Sequence, residues 1–252
     1  MGDGSSAQPD RGLAIQRGES GNGLGSGSEI PRIGKLKMKH LKVLVGVPSG
    51  QSWLAQFGVD LGSLMVRFYM QRVAGYGSQE LRVANVRSSI LPKNRMDIMN
   101  LARKAEVDYL LFLDSDHTFP ADLLHRLIAH NAPVVAANCV TKQIPAQTTA
   151  RQADKDPRGV PVYTDDKPGL EEVWRVGTGV MLIRKDVIQE IPNSAWAMKY
   201  LPEADTFQGE DWTFCQACQD RDIPIYVDHD LSREVGHIGN LTFTHDYVGE
   251  VV

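Results

Sequence analysis

Apolar positions are sparse and unperiodic over the first forty residues, and from Leu41 onward they come in short, dense runs. The segment 1–40 is rich in Gly and Ser and offers no apolar face to bury, which predicts an arm that does not fold by itself. Such an arm is ordered only by a neighbour, so assembly of a homo-oligomer through it is one expectation. LKVLVGVP (41–48) reads as a buried strand opening into a Pro-Ser-Gly loop. Helical spacing follows over 57–74, a second strand over 81–86, and a helix over 91–108 with Met96, Met99, Ala102 and Ala105 along one side. YLLFL (109–113) is a third strand. Strands alternating with helices imply a mostly parallel sheet covered on both faces.

The second half continues the pattern. Pro120 suits the first turn of a helix whose stripe is Leu123, Leu124, Leu127 and Ile128, and APVVAANCV (132–140) supplies a strand. Pro and Gly break the region 144–176 into short extended pieces, a small antiparallel excursion. GTGVMLIRKDVIQEI reads as strand then helix, GEDWTFCQACQDRDI as helix, and PIYVD as the last strand. A single α/β domain over 41–252 is the expected organisation.

Composition narrows the function. The formal net charge of -4 provides no broad basic field, so nucleic acid is not the default partner. Three cysteines make no disulfide framework, which points to a reducing, cytoplasmic setting. No apolar run approaches the roughly 20 residues of a membrane span.

The chemistry is concentrated where strand 109–113 runs out. Five apolar residues end in Asp114-Ser115-Asp116, and charge at the end of a buried strand is costly unless a cation or hydrogen-bond donors wait there. A metal ion is the simplest candidate. In an open parallel sheet, ligands collect at the carboxyl ends of strands, where these aspartates and the loop opened by Pro48 both fall. A second carboxylate pair, Glu210-Asp211, begins the GEDWTFC helix. Asp211, Phe214, Cys215 and Cys218 share one stripe, so Asp211 faces the sheet. Cys215 and Cys218 have no second pair and read as small core residues. Gly177-Thr178-Gly179 lacks the Gly-Lys-Ser/Thr of a Walker loop, and its bare backbone would let a ligand lie close. Trp196, Met198 and Tyr200 form an acceptor platform, a lid or ordinary packing.

In order along the chain, VLVGVP, the helix with Asn94-Arg95, LFLDSDHTFP, GTGVMLIRKDV, GEDWTFC and VGHIG resemble the GT-A glycosyltransferases, particularly the family 2-like enzymes and small viral or phage relatives. The resemblance spans about 41–240. It implies a Rossmann-like GT-A fold and a nucleotide-sugar donor, UDP- or GDP-linked, held by Mn2+ or Mg2+. It makes Asp116 a direct metal ligand, with Asp114 at the ribose or a metal-bound water. His237 completes the metal site, with His229 and His245 as fallbacks, and His117 is a loop residue. Pro48, Arg95, Ser115 and the Gly177-Thr178-Gly179 segment would line the donor. Asp211 would be the general base of an inverting transfer, with Glu210 a supporting or acceptor contact. The acceptor stays open among a glycan, a protein and a modified DNA base. Two rival readings remain: a haloacid dehalogenase-like phosphatase using Asp114 and Asp116, and a non-catalytic protein that retains the fold.

Overall fold

β1 (Lys39–Ser49), α1 (Ala55–Met70), β2 (Tyr76–Arg87), α2 (Leu91–Ala105) and β3 (Tyr109–Leu113) open the fold of the computed structural model. It describes Met1 and residues 39–156, 158–203, 205–239 and 242–248. The expected arm, and any assembly through it, therefore lies almost wholly outside the described residues.

β4 (His117–Thr118), α3 (Leu123–Ala129) and β5 (Val134–Ala136) come next, followed by β6 (Arg151–Gln152), β7 (Val160–Pro161) and β8 (Leu170–Val173). The remainder runs β9 (Val180–Arg184), α4 (Lys185–Glu190), a 3-10 turn (Asn193–Trp196), β10 (Lys199–Leu201), β11 (Thr206–Gln208), α5 (Glu210–Gln219), β12 (Ile225–Asp228), α6 (His229–Ser232), β13 (Gly236–Ile238), β14 (Thr242–Phe243) and a last 3-10 turn (His245–Tyr247).

The central sheet has the order β2-β1-β3-β9-β5-β12-β8. β2, β1, β3, β5 and β12 run one way, while β9 and the edge strand β8 run the other. This is the expected α/β class, with a mainly parallel sheet and helices on both faces. The antiparallel excursion is the β6–β7 pair together with β8.

Period-2 alternation in β3 divides the core. Leu111 and Leu113 face a cluster with Phe57, Leu61, Leu64 and Phe68 of α1 and Leu123, Leu124 and Leu127 of α3. Leu110 and Phe112 face the opposite cluster, with Ile98 and Met99 of α2, Ile188 of α4, Trp196, and Phe214, Cys215 and Cys218 of α5. Gly46 of β1 allows α2 to settle onto the sheet, because a Cβ there would collide with Ile98 Cγ2.

Two local expectations are corrected. Pro120 precedes α3 instead of lying in its first turn, and Asp122 occupies the N-cap position without a side-chain cap bond. The strand expected over 132–140 is ordered as β only at 134–136, because the chain then turns to pair Val140 with Thr148. β9 is antiparallel to both neighbours. An apolar run buried on both faces looks the same in either direction, so its pattern carries no polarity.

Candidate metal centre and its carboxylate network

β3 delivers its two aspartates into a turn held from two neighbouring strands. Asp114 N donates to Gly179 O at 2.8 Å, His117 N donates to Asp114 O at 3.2 Å, and Ile238 N donates to Asp116 O at 2.7 Å. β4 and β13 pair antiparallel with His117 opposite His237. The two imidazoles stack at 4.2 Å between centroids, 16° from parallel.

Both rings flank Asp116. His117 Nδ1 lies 3.3 Å from Asp116 Oδ1, and His237 Nε2 lies 3.4 Å from Oδ2. One donor atom from each of the three residues falls within 4.8 Å of the other two. His237 Nδ1 donates to Val140 O at 2.7 Å, which leaves Nε2 as the lone-pair nitrogen facing the carboxylate in the neutral ring. His117 is 2% exposed, and neither ring nitrogen has a hydrogen-bond partner. A buried imidazole without a partner beside a second imidazole fixed by a carbonyl fits a divalent cation. This mixed nitrogen and oxygen donor set suits Mn2+ or Zn2+ better than the all-oxygen shell that Mg2+ prefers.

The Lys142 ammonium also pairs with Asp116. Burial alone would raise the Asp116 carboxyl, but the adjacent His117, His237 and Lys142 hold it far below the usual carboxylate range.

Asp114 lies outside this cluster. Arg95, on α2 and 2% exposed, gives Nη2 to both Asp114 oxygens at 3.1 Å and Nε to Glu210 Oε1 at 3.2 Å. Its guanidinium rests 5.4 Å above the Phe112 ring. Burial would lower the Arg95 pKa, and the two carboxylates reverse that and raise it. Arg95 is thus a buried strap between the end of β3 and the start of α5, not a side chain reaching into the cleft.

α5 carries Asp211 next to Glu210. Asp211 Oδ1 accepts from Trp212 N at 2.7 Å, and Gly209 leaves room for this, since a Cβ there would come 2.7 Å from the same oxygen. Burial and the neighbouring Glu210 raise the Asp211 carboxyl, with the Trp212 amide and Arg95 pulling the other way.

Pro48, Ser49, Ser88, Asn94, Ser115 and Asp116 line a cleft of about 330 Å³ beside the cluster. The glycine segment is occupied differently from expectation. A Cβ on Gly179 would sit 2.7 Å from His117 Cε1, and one on Gly177 would sit 3.1 Å from Thr149 Cβ, so the chain's own side chains fill the space over these glycines. Thr178 is buried between them and its hydroxyl has no partner.

The fallback histidines are engaged elsewhere. His229 contacts Glu171 and Thr164, and His245 Nε2 contacts the Asn138 carbonyl. Trp196 is core, stacked on Phe214 at 4.5 Å, whereas Met198 and Tyr200 are exposed. Cys215 and Cys218 are buried free thiols, and burial pushes Cys215 up to about 12.

His117 and Lys142 are the site residues that sequence reasoning missed. His117 alone left a trace, as a histidine directly following the acidic pair.

No protein-family profile matches the chain, and no curated protein does. Among solved structures it is similar to A197 from STIV, at 17% identity and a TM-score of 0.52, covering 84% of this chain and 98% of that one. A second similarity is to residues 1–349 of TarS from S. aureus, at 16% identity and a TM-score of 0.41, covering 75% of this chain and 58% of that one. At these identities the likeness is one of fold, and A197 carries it. No helix among the described residues is long and apolar enough to cross a membrane.

Proposed function

We propose that the protein is a metal-dependent glycosyltransferase of the cytoplasm that moves a sugar from a nucleoside-diphosphate donor to an acceptor hydroxyl, with inversion. The observation that supports this reading is the placement of Asp116, between two imidazoles, at the carboxyl end of β3 and on the wall of the cleft. Asp116, His117 and His237 would hold Mn2+ or a similar cation. Bound there, the cation supplies neutralisation of the charge that gathers on a departing diphosphate.

The remaining roles belong to the chain's own side chains. The cleft walls at Pro48, Ser115 and Asn94 would receive the nucleoside, and Asp114, fixed by Arg95, presents its carboxylate toward the ribose. Asp211 takes the acceptor proton as the acceptor oxygen bonds to the anomeric carbon and the bond to phosphate breaks with its electron pair. A carboxylate made more basic by burial is the better proton acceptor for that step. The exposed β10–β11 hairpin, with Tyr200 and Phe207 5.2 Å apart, leads directly into α5 and would meet the acceptor. The phosphatase alternative needs Asp114 as a free nucleophile, whereas Arg95 holds both of its oxygens.

The test is turnover of UDP- and GDP-sugars, followed as nucleotide release. Release that requires Mn2+ and disappears in Asp116→Ala supports the reading, and metal-independent release unaffected by that change contradicts it.

A further inference from the structure

Asp116 Oδ2 serves two partners at once, His237 Nε2 and the ammonium of Lys142. An ammonium and a divalent cation make the same demand on this carboxylate. A positive charge already seated there raises the free energy of bringing in a second one.

The local structure suits a side chain that moves. The backbone around Lys142 is fixed: Val140 O holds His237 Nδ1, Thr141 N donates to Gln147 O at 2.9 Å, and Gln147 N donates to Thr141 Oγ1 at 3.0 Å. The side chain itself is about one-third exposed and makes its ion pair through a four-carbon stem. Asp116 also lines the cleft, so an ammonium that leaves this carboxylate stays within reach of an anion bound beside it.

We propose that Lys142 is a mobile phosphate-binding residue, paired with Asp116 while the site lacks metal and with the donor diphosphate once a metal ion takes that carboxylate. This rests on the donor-site reading above. Lys142 thus opposes metal entry and favours diphosphate capture, two effects of opposite sign from one residue.

Calorimetric titration separates them, using Mn2+ alone and then inorganic pyrophosphate added to Mn2+-loaded protein. Lys142→Met is expected to bind Mn2+ roughly two- to fivefold more tightly, the scale of a partly exposed ion pair. The same variant is expected to bind pyrophosphate several-fold more weakly, with Lys142→Arg restoring wild-type behaviour in the pyrophosphate titration. Mn2+ binding that is lost in Asp116→Ala yet equal in wild type and Lys142→Met overturns this proposal and leaves the metal site standing. Unchanged pyrophosphate affinity in Lys142→Met also overturns it. Failure of both wild type and Lys142→Met to bind Mn2+ overturns the metal-site reading, and this proposal with it.

Discussion

Asp211, the proposed base, carries a cost in stability. Burial and Glu210 raise its carboxyl pKa in the folded chain above the unfolded value, so the native state holds a proton that the unfolded chain releases. The stability from this group is complete below the unfolded carboxylate value and is lost as pH rises through the folded one. Above the folded value this group therefore lowers stability. Asp211→Asn is expected to raise the denaturant midpoint at pH 7 with an unchanged slope, and to give little gain below about pH 4, near the unfolded aspartate value. Turnover should vanish in the same variant while Mn2+-dependent nucleotide binding persists. Wild-type turnover should rise with pH through the elevated Asp211 value. Unimpaired turnover in Asp211→Asn would remove it as the base.

Between elements, the strap from α2 through Arg95 to β3 and α5 dominates. Removing Arg95 leaves Asp114 and the buried Glu210 without their cation. Arg95→Ala is expected to cost about 3–5 kcal/mol, the range for breaking a buried pair by deleting one partner. Urea unfolding of the variant checks this, and a loss under about 1 kcal/mol, the scale of an exposed pair, would show that the strap carries little. This contact explains what the sequence displays and what it hides. The acidic end of β3 is legible because a five-residue apolar strand stops at it, whereas the helix stripe that singles out Asp211 does not show that its neighbour Glu210 is the buried partner of Arg95. Arg95 reads as a donor contact and not as a buried strap, since arginine is seldom fully buried and its partners lie 19 and 115 positions away. His117 is hidden for the same reason. Its meaning comes from β4 pairing with β13, a register that no local pattern encodes. Lys142 gave no signal, being one exposed lysine in an irregular loop.

Across the molecule, the fold gathers distant segments at one end of the sheet. β3 brings Asp114 and Asp116, β4 and β13 bring the imidazoles, α2 brings Arg95, α5 brings Asp211, and antiparallel β9 starts at this same end, so that Gly179 makes room for His117. The element types and the fold class could be read from apolar periodicity. The direction of β9 could not, although it decides what sits beneath the histidine. The central claim is that this end of the sheet is a metal-dependent nucleotide-sugar site. The most direct measurement is calorimetric titration of UDP and GDP, with and without Mn2+, into wild type and Asp116→Ala. Ligand at 100 times its dissociation constant should also stabilise the fold by about 2.7 kcal/mol, visible as a thermal shift. The account predicts that one nucleotide binds only with Mn2+ and that the variant loses this binding. Well-folded protein that binds neither nucleotide, or that binds one equally well without metal and without Asp116, would contradict it.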